Sequence, residues 1–404
     1  MSVLFTDGNS RKTLAAVRSL GKRGIRVTAG DISARNLSSA SRYCCQGVAY
    51  PSPYTDPEGF QNRLLDLVRH RAFEILIPTS DVTINLINEI RAHLERYVKL
   101  PLPNHDPYTN LTDKAKLVRL AQELEVPIPK TVWVQSDAEL ERVVPKLKYP
   151  VVIKPRYSKF LSDNHWVDVL VDYARSPHEL TAKYRKIHGI VERPLIQEKI
   201  EGPGHGVSVL AHRGNVLAAF GHRRIREKPP SGGVSVVRES VPLDPRLMEY
   251  STRLLSAQNW SGVAMVEFKL DSTDHSPKLM EVNARFWGSL QLAIDSGVDF
   301  PFLLYQLVTD GEFESPGPYQ AGVRTRWFLG DVDHLLSMWL LPRNKLFLDP
   351  GYPSRLKALL DFLGSFKRST RSEVFRTDDP LPGLWELGLY FREVRKKMRT
   401  VLNP

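Results

Sequence analysis

Apolar and polar residues alternate along two neighbouring stretches of this chain, residues 265–270 and 279–285. Alternation with a period of two is typical of β-strands that bury one face. The stretch between them, residues 271–277, consists mainly of Asp, Ser, Thr and Pro, which favour turns. The pattern therefore predicts a β-hairpin, which we expect to be symmetric about Asp274.

Four polar residues of this hairpin are expected to lie together. With that symmetry, Glu267 faces Glu281 across the two strands. Side chains at positions i and i+2 share a face, so Asn283 joins the two carboxylates and Arg285 follows one step along. Like charges opposite each other destabilise a sheet, and a hard cation such as Mg²⁺ would relieve their repulsion. For the Glu pair alone, the alternative is a solvated outer face of the hairpin.

The start of the chain alternates strand and helix patterns. Residues 3–5 are apolar, Leu14, Val17 and Leu20 recur at helical spacing, and residues 25–28 form a second strand pattern. This order predicts the beginning of a βαβ unit. A Gly-X-Gly-X-X-Gly motif is missing from it, which argues against a dinucleotide site.

Another buried strand is indicated at residues 74–78, and Thr79, Ser80 and Asp81 follow it. Open α/β sheets bind ligands at the carboxyl ends of their strands, so these polar residues are candidates for a site. We predict that Asp81 is instead the N-cap of a helix over residues 82–92, and we leave the roles of Thr79 and Ser80 open.

Two later predicted strands end at charged or polar residues that are candidates for ligand binding. An apolar strand beginning at residue 149 ends at Lys154, and a lysine that leaves a strand can reach a phosphate as a point charge. A second strand, from residue 195, passes through Glu198, Lys199 and Ile200 into a turn rich in Gly and Pro. Each pattern is common by itself, so the information lies in their order along the chain.

In this order the motifs resemble the ATP-grasp superfamily, over residues 107–316 and the α/β segment before them. The resemblance implies that ATP lies between two α+β subdomains. It assigns phosphate binding to Lys154 and to Lys114 of an Asp-Lys pair, adenine binding to Glu198, Lys199 and Ile200, and metal binding to Glu267, Glu281 and Asn283. Arg285 matches an arginine that contacts the transferred phosphoryl group.

The resemblance also implies the fold class, α/β and α+β. A Rossmann-like pre-ATP-grasp domain over residues 1–106 would end in a Pro-rich stretch. A two-subdomain ATP-grasp domain over residues 107–316 would follow, with a small lid subdomain at about 130–197. Residues 317–404 would form a helical, basic C-terminal extension.

The chain departs from the family pattern in two places. Many members follow the strand lysine with a glycine-rich loop over the phosphates, but residues 155–164 contain no glycine. We therefore expect the side chains of Arg156, Ser158 or Lys159 to meet the phosphates. His205 lies where some relatives place an acid on the ribose, and we include it among the nucleotide-binding residues. The alternative is a loop histidine without a role.

Clustered arginines precede a flexible turn between the adenine segment and the hairpin. They are Arg223, Arg224 and Arg226, and the turn is Ser231-Gly232-Gly233. A guanidinium group matches the geometry of a carboxylate, so we predict that these six residues bind an anionic substrate. The alternative is a solvated basic strand edge, and alternation does not decide which arginine points inward.

The resemblance is closest to the carboxylate-amine ligases. It implies transfer of the ATP γ-phosphoryl group to a small-molecule carboxylate, and displacement of phosphate by a small-molecule amine. Lys154 and Arg285 would be the catalytic residues, with ATP and Mg²⁺, or Mn²⁺ in its place, as cofactors. The alternatives are an ATP-grasp kinase or carboxylase, a catalytically silent nucleotide-binding regulator, and a structural or membrane adapter.

Charge is distributed unevenly along the chain. The formal net charge is +11, and residues 317–404 hold 15 Lys or Arg against nine Asp or Glu. The basic residues near 392–399 follow apolar residues at helical spacing, which suggests peripheral contact with an anionic membrane. The alternative is a solvated helix whose terminal cations complement its dipole. We expect no nucleic acid partner because no nucleic-acid-binding module is recognisable.

Composition indicates an ordinary globular protein of two or three domains, with 42% hydrophobic and 25% charged residues in 404. There is no run of 18 apolar residues and no basic leader with a cleavage site. Cys44 and Cys45 are adjacent, which is a poor arrangement for a structural disulfide. We therefore expect a cytoplasmic protein, and the sequence does not indicate its oligomeric state.

Overall fold

The computed structural model describes residues 2–71, 73–157, 159–162, 165–366 and 369–402, with side chains for all of these except 160–162, 165 and 396–402. Parallel and antiparallel sheets occur in separate parts of the chain, and helices pack beside them. The predicted class, α/β and α+β, is confirmed.

The N-terminal part is a four-stranded parallel sheet with helices. Its elements are β1 (Ser2–Phe5), α1 (Arg11–Gly21), β2 (Arg26–Asp31), β3 (Gln46–Ala49), α2 (Pro57–His70), β4 (Ile75–Ile77), α3 (Asp81–Glu89) and α4 (Arg91–Leu94). The strand order is β3-β2-β1-β4, and all three pairings are parallel. The predicted βαβ beginning is present: Val17 and Leu20 of α1 share a core cluster with Val3 of β1 and Val27 of β2, whereas Leu14 is buried in a separate cluster with Leu37 and Val374.

The start of α3 differs from the prediction. Ser80, not Asp81, is the N-cap: its Oγ accepts a hydrogen bond from the backbone N–H of Thr83 at 3.2 Å. The Asp81 carboxylate instead binds the side chain of Arg285. A short hydroxyl side chain suffices to cap the helix, which frees the acid for a contact more than 200 residues away in sequence.

A small antiparallel sheet follows in the region predicted as the lid. Its elements, with the two helices before it, are α5 (His105–Thr112), α6 (Lys114–Glu123), β5 (Thr131–Val132), α7 (Asp137–Val143), β6 (Val151–Lys154), β7 (Lys159–Ser162), β8 (His165–Asp168), β9 (Asp172–Ala174), α8 (Pro177–His188) and β10 (Leu195–Glu198). The strand order is β5-β10-β6-β9, and β7 and β8 form a separate hairpin. A 3₁₀ turn, Val144–Lys146, follows α7.

The largest sheet has seven strands. Its elements and neighbours are β11 (Gly204–His212), β12 (Asn215–Lys228), β13 (Val234–Ser240), α9 (Pro245–Ala257), β14 (Gly262–Leu270), β15 (Pro277–Asn283), α10 (Leu290–Ser296), α11 (Phe300–Asp310), β16 (Arg324–Arg326), α12 (Phe328–Leu340), a 3₁₀ turn (Arg343–Lys345), α13 (Arg355–Gly364), β17 (Thr370–Ser372) and α14 (Leu381–Leu402). The strand order is β15-β14-β11-β12-β13-β16-β17. Apolar residues of this sheet share core clusters with the N-terminal sheet, so the two sheets pack through a common core.

The C-terminal region contains the predicted helical segment and also extends the large sheet. Strand β16 pairs with β13, and β17 pairs with β16. Buried ion pairs join Arg18 of α1 to Asp379 at 2.7 Å, and Arg238 of β13 to Glu373. The region is therefore built into the rest of the protein, and the domain boundary at residue 317 stays a prediction. Among the described residues, none of the helices combines the length and apolar character needed to cross a membrane.

Candidate functional site

A cavity of about 540 Å³ lies where the three sheets meet. Its walls come from the start of α1, from β6 and β9 of the small sheet, and from β11, β12, β14 and β15 of the large sheet. Twelve of the sixteen predicted site residues line it: Lys154, Glu198, Lys199, Ile200, Arg224, Ser231, Gly232, Gly233, Glu267, Glu281, Asn283 and Arg285. Lys114, His205, Arg223 and Arg226 do not.

At its acidic residues the hairpin of β14 and β15 has the predicted register, whereas a β-bulge after Glu267 shifts the pairing by one residue toward the turn, so that Phe268 pairs with Leu279. Glu267 is paired with Glu281, and Met265 with Asn283. The amide Nδ2 of Asn283 donates to Glu267 Oε1 at 3.0 Å and to Glu281 Oε1 at 3.2 Å. All three polar side chains therefore meet on one face of the hairpin, as the alternation predicts.

The two carboxylates differ in their electrostatic environment. Burial raises the pKa of Glu267 to about 7, and the charge of Glu281 adds to this effect while the ion-paired Arg224 opposes it. Burial also opposes ionisation of Glu281, but the charges of Lys114, Arg224 and Lys154 outweigh it and lower its pKa. Positive charge is thus required to keep both acids ionised.

These residues fit a hard divalent cation. Two carboxylates and an amide are the oxygen donors that Mg²⁺ prefers, once the Asn283 amide turns its Oδ1 toward the cation. No cluster of three or more His, Cys, Asp or Glu side chains suited to a metal occurs in the part of the chain that the structure describes. Phosphate oxygens of a nucleotide would therefore complete the coordination shell around Glu267 and Glu281.

Two lysines stand beside the carboxylates. Lys154 is the last residue of β6 and is buried. Burial lowers its pKa to about 8, the charge of Glu281 opposes this, and the charge of Lys114 adds to it. Lys114 opens α6 and its backbone N–H donates to the carbonyl of Arg156 at 3.0 Å. It lies behind the cavity wall, close enough for its charge to act on Lys154 and Glu281.

The residues after Lys154 are held by carboxylates. Arg156 Nη2 donates to Asp113 Oδ2 at 2.6 Å, and the hydroxyl of Tyr157 donates to the same oxygen at 2.7 Å. Lys159 forms an ion pair with Asp168 across the β7–β8 hairpin. The cations predicted to replace a glycine-rich loop are therefore engaged elsewhere, and Ser158 lies outside the described residues.

The predicted adenine segment is fixed at the end of β10. Glu198 Oε1 accepts a hydrogen bond from the backbone N–H of Lys130 at 2.7 Å. Lys199 forms a buried ion pair with Asp349 of the C-terminal region. The carbonyl of Ile200 accepts from Lys269 Nζ at 3.0 Å. These contacts hold the segment in place at the cavity wall.

A β-bulge decides which arginine enters the cavity. Between Arg224 and Arg226 the partner strand advances by one residue rather than two, so the alternation of faces is interrupted. Arg224 points into the cavity, whereas Arg226 binds Asp331 with two hydrogen bonds of 2.7 Å on the other side. Arg223 pairs with Glu239. The structure thus brings only Arg224 of the three to the cavity.

His205 points away from the cavity because of strand alternation. Its neighbour Gly206 is paired with both Glu267 and His222, which line the cavity, so His205 lies on the opposite face of β11. Gly206 makes room for the buried His222 ring, since a Cβ at Gly206 would lie 2.2 Å from His222 Cε1. His205 therefore does not line the cavity, and its ribose contact stays a prediction.

The Ser231–Gly233 turn closes one side of the cavity. The hydroxyl of Tyr173, on β9 of the small sheet, donates to the carbonyl of Ser231 at 3.0 Å. Gly232 has a φ of +121°, a backbone conformation that favours glycine. The contact connects the small sheet to the predicted substrate-binding turn.

Lys12 lines the cavity but was not among the residues expected from the sequence. It lies near the start of α1, and its side chain makes no hydrogen bond or ion pair to any residue in the described ranges. The nearby acid Asp81, whose charge acts on Lys12, is bound by two other side chains. Arg285 Nη2 donates to Asp81 Oδ2 at 2.8 Å, and the Tyr108 hydroxyl donates to Asp81 Oδ1 at 2.8 Å. Burial and the charge of Arg285 lower the pKa of Lys12 to about 7, with Asp81 and Asp7 opposing.

Comparisons with known proteins agree with this site. Residues 191–330 match a protein-family model described as "ATP-grasp in the biosynthetic pathway with Ter operon". No curated protein matches the chain in sequence.

Several solved structures share the fold. An L-amino acid ligase from Bacillus licheniformis is 20% identical, with a TM-score of 0.60 over 78% of this chain and 76% of that chain. An N5-carboxyaminoimidazole synthetase from Staphylococcus aureus is 13% identical, with a TM-score of 0.60 over 80% of each chain. The biotin carboxylase domain of the Hydrogenobacter thermophilus 2-oxoglutarate carboxylase, crystallised with MgADP, is 16% identical, with a TM-score of 0.62 over 80% of this chain and 73% of that chain.

The family match covers the segment Glu198–Ile200, the strand with the clustered arginines and the β14–β15 hairpin, and the shared fold extends over most of the chain. The ATP-grasp resemblance recognised from the sequence is thereby confirmed over residues 191–330, the segment that matches the family model.

Proposed function

We propose that this protein is an ATP-dependent carboxylate-amine ligase that forms an amide or peptide-like bond through an acyl phosphate. One observation carries the proposal. Within an ATP-grasp fold, a single cavity joins Lys154 to Glu267, Glu281 and Asn283, and places Arg285 beside them. This set combines a phosphate-binding cation, a metal site and a second cation where negative charge develops during phosphoryl transfer.

In the proposed complex, ATP lies between the small and large sheets. The adenine contacts the segment Glu198–Ile200, and Lys154 binds the phosphates, with the charge of Lys114 behind it. Mg²⁺ held by the hairpin would neutralise phosphate oxygens and polarise the γ-phosphorus. Arg224, which pairs with both Glu227 and Glu267 in the present arrangement, would release Glu267 to the cation and either keep its pairing with Glu227 or bind the substrate.

The acid substrate is proposed to bind beyond the metal site. At that end of the cavity the lining side chains are hydroxyls and cations, including Ser10, Lys12, Arg285 and Ser289. Lys12 has no protein counter-ion within hydrogen-bonding distance among the described residues, so a substrate carboxylate supplies one. Because its charge has no counter-ion in the protein, Lys12 would bind the carboxylate of the acid substrate. The turn Ser231–Gly233 would bind the same substrate.

The chemistry follows from the properties of a carboxylate. A carboxylate does not react with an amine at neutral pH, because its leaving group would be an oxide. Attack of its oxygen on the γ-phosphorus breaks the bond to ADP and gives an acyl phosphate, whose leaving group is phosphate. The amine nitrogen then attacks the acyl carbon, phosphate departs, and the nitrogen loses a proton. Arg285 and Lys154 stabilise the charge on the transferred group.

A carboxylase is the second candidate, because carboxylases and a carboxyaminoimidazole synthetase are among the structures that share the fold. It would use the same nucleotide residues with bicarbonate as the acid. A kinase, or a nucleotide-binding regulator without turnover, would also use them.

Product analysis separates these functions. Purified protein is incubated with MgATP and pairs drawn from a panel of amino acids and other small carboxylates and amines, and ADP, phosphate and new masses are measured. The proposal expects ADP and phosphate in equal amounts with an amide that requires both substrates. A phosphorylated product that accumulates would indicate a kinase, and turnover that requires bicarbonate would indicate a carboxylase. ATP binding without ADP formation in any mixture would support the silent regulator.

A further inference from the structure

Large apolar side chains are unusually exposed on the two C-terminal helices α12 and α13. Of 19 large hydrophobic side chains that are exposed among the described residues, eight lie within residues 336–366. Six of them form what we call the apolar ridge, and their exposed fractions run from 44% to 74%: Leu336, Trp339, Leu340, Leu356, Leu360 and Leu363. Single exposed leucines are normal, but a cluster of this kind marks an interaction surface.

The exposure follows from the geometry of α13. At 3.6 residues per turn, Leu356, Leu360 and Leu363 fall within an arc of about 60°. The buried Ala358 and the inward Asp361, whose carbonyl accepts from Arg226, lie on the opposite side of the helix. The helix is thus apolar on the side that faces away from the protein, whereas a surface helix normally carries polar residues there.

Helix α12 repeats this arrangement next to α13. Its buried His334 and Met338 face inward, and Leu336 and Leu340 lie on the outer side. Arg355 at the start of α13 donates to the carbonyl of Met338 at 3.0 Å, which ties the ends of the two helices together. This contact brings the exposed Leu340 of α12 and Leu356 of α13, each one or two residues from it in sequence, to the same junction of the two helices.

Exposed basic residues lie on α13 and in the segment between α12 and α13. Among the described residues 343–366 they are Arg343, Lys345, Arg355 and Lys357, against two partly buried acids. One acid, Asp349, forms an ion pair with Lys199, and the other, Asp361, is paired with Lys357. The guanidinium of Arg343 donates only to backbone carbonyls of Tyr352 and Pro353, so its positive charge is not cancelled by a carboxylate.

We propose that the apolar ridge and these basic residues dock onto the surface of an anionic lipid bilayer. Exposed leucines and a tryptophan beside uncompensated cations fit an interface of acyl chains and negative headgroups. The docking is peripheral, since no described helix is of the kind that spans a bilayer. The proposal is independent of the ligase activity, because none of the ridge residues lines the nucleotide cavity.

Flotation with vesicles tests this docking. The full chain is mixed with vesicles of phosphatidylcholine alone or of phosphatidylcholine with phosphatidylserine, at low and high salt. Three proteins are compared: the wild type, the triple variant Leu356→Glu/Leu360→Glu/Leu363→Glu, and the control Leu170→Glu, which alters a leucine between β8 and β9 that is 80% exposed. Retained thermal unfolding transitions establish that the variants are folded, and Leu340→Glu provides a second, milder ridge variant.

The proposal expects the wild type and Leu170→Glu to float with phosphatidylserine vesicles, more weakly at high salt because exposed charges are screened beyond about 10 Å at 0.1 M. The triple variant should bind at least about tenfold more weakly, and Leu340→Glu should show an intermediate loss. Equal flotation of the folded triple variant, or no flotation of the wild type at low salt, would overturn it. So would a dimer in solution that the ridge substitutions dissociate, because the ridge would then be covered by a second copy.

Discussion

Glu267 lies directly opposite Glu281 across strands β14 and β15, and the amide of Asn283 donates to both carboxylates. Two acids in this position repel each other unless positive charge lies close by, and Arg224, Lys154 and Lys114 supply it. The proposed Mg²⁺ site rests on this arrangement.

Substitution Glu281→Gln should lower ATP turnover about 100-fold or more while the protein stays folded, because a carboxylate ligand of the metal is lost. Steady-state ADP formation at saturating substrates measures the effect. Glu201→Gln is a matched control, since Glu201 directly follows the segment Glu198–Ile200 and does not line the cavity. If Glu281→Gln formed ADP at the wild-type rate, Glu281 would not be a ligand of the metal.

Lys154→Ala should weaken nucleotide binding or phosphoryl transfer. A hydrogen bond to a charged group contributes about 1.5–3 kcal/mol, which corresponds to roughly 10- to 100-fold in affinity or rate. Calorimetric titration with MgADP and turnover assays measure the two effects separately. The exposed Lys148→Ala is the control, and an unchanged affinity and rate in Lys154→Ala would show that the strand lysine has no part in the site.

Lys12→Met should raise the KM for the acid substrate about tenfold and leave the KM for ATP unchanged. The control is Lys22→Met. Lys22 is the C-cap residue of the same helix, and its side chain is half exposed. A rise in the KM for ATP instead would place Lys12 at the nucleotide.

The charge of Lys12 also predicts a pH dependence. Its pKa is lowered to about 7 by burial and by Arg285, with Arg11 adding and Asp81 and Asp7 opposing. The side chain is therefore cationic below about pH 7 and loses its charge above it. The KM for the acid should rise as the pH increases through this range in the wild type, and should stay flat in Lys12→Arg. A rise of equal size in both proteins would exclude Lys12 as the cause.

Glu386 predicts a pH dependence of stability. Burial raises its pKa from 4.5 to about 7, although Trp327 Nε1 donates to its Oε1 at 2.9 Å. Because the folded pKa lies above the unfolded value, the stability that Glu386 contributes is full below pH 4.5 and is lost as the pH rises through about 7.

Glu386→Gln stays neutral and keeps an oxygen for Trp327. It should therefore raise the free energy of unfolding by on the order of 1–3 kcal/mol at about pH 8, and change it little near pH 4.5. Chemical denaturation at both pH values, with the exposed Glu393→Gln as control, measures this difference. A uniform change at both pH values would point to packing rather than charge.

Local patterns predicted the hairpin well. Alternation and turn residues sufficed to place Glu267 opposite Glu281, because pairing in a short hairpin depends on residues close in sequence. The order of Lys154, the adenine segment and the hairpin along the chain was enough to predict the ATP-grasp resemblance, and the fold class followed from that resemblance.

Features that depend on distant contacts were not predictable. The bulge after Arg224 turns Arg226 toward Asp331, and alternation has no means of anticipating an inserted residue. Asp81 was expected to cap a helix, yet it binds Arg285. Lys12 lines the cavity at the start of α1, and α1 is positioned there by packing against α10 and α11, which are about 280 residues further along the chain.

The proposed reaction transfers a phosphoryl group to a carboxylate within this cavity. To test this step, the acid substrate is supplied with a heavy oxygen isotope in its carboxylate, and the mass of the phosphate released during amide formation is measured. An acyl phosphate requires that one carboxylate oxygen leaves with the phosphate, so we expect one labelled oxygen in each phosphate released. Amide formation with release of unlabelled phosphate would contradict it.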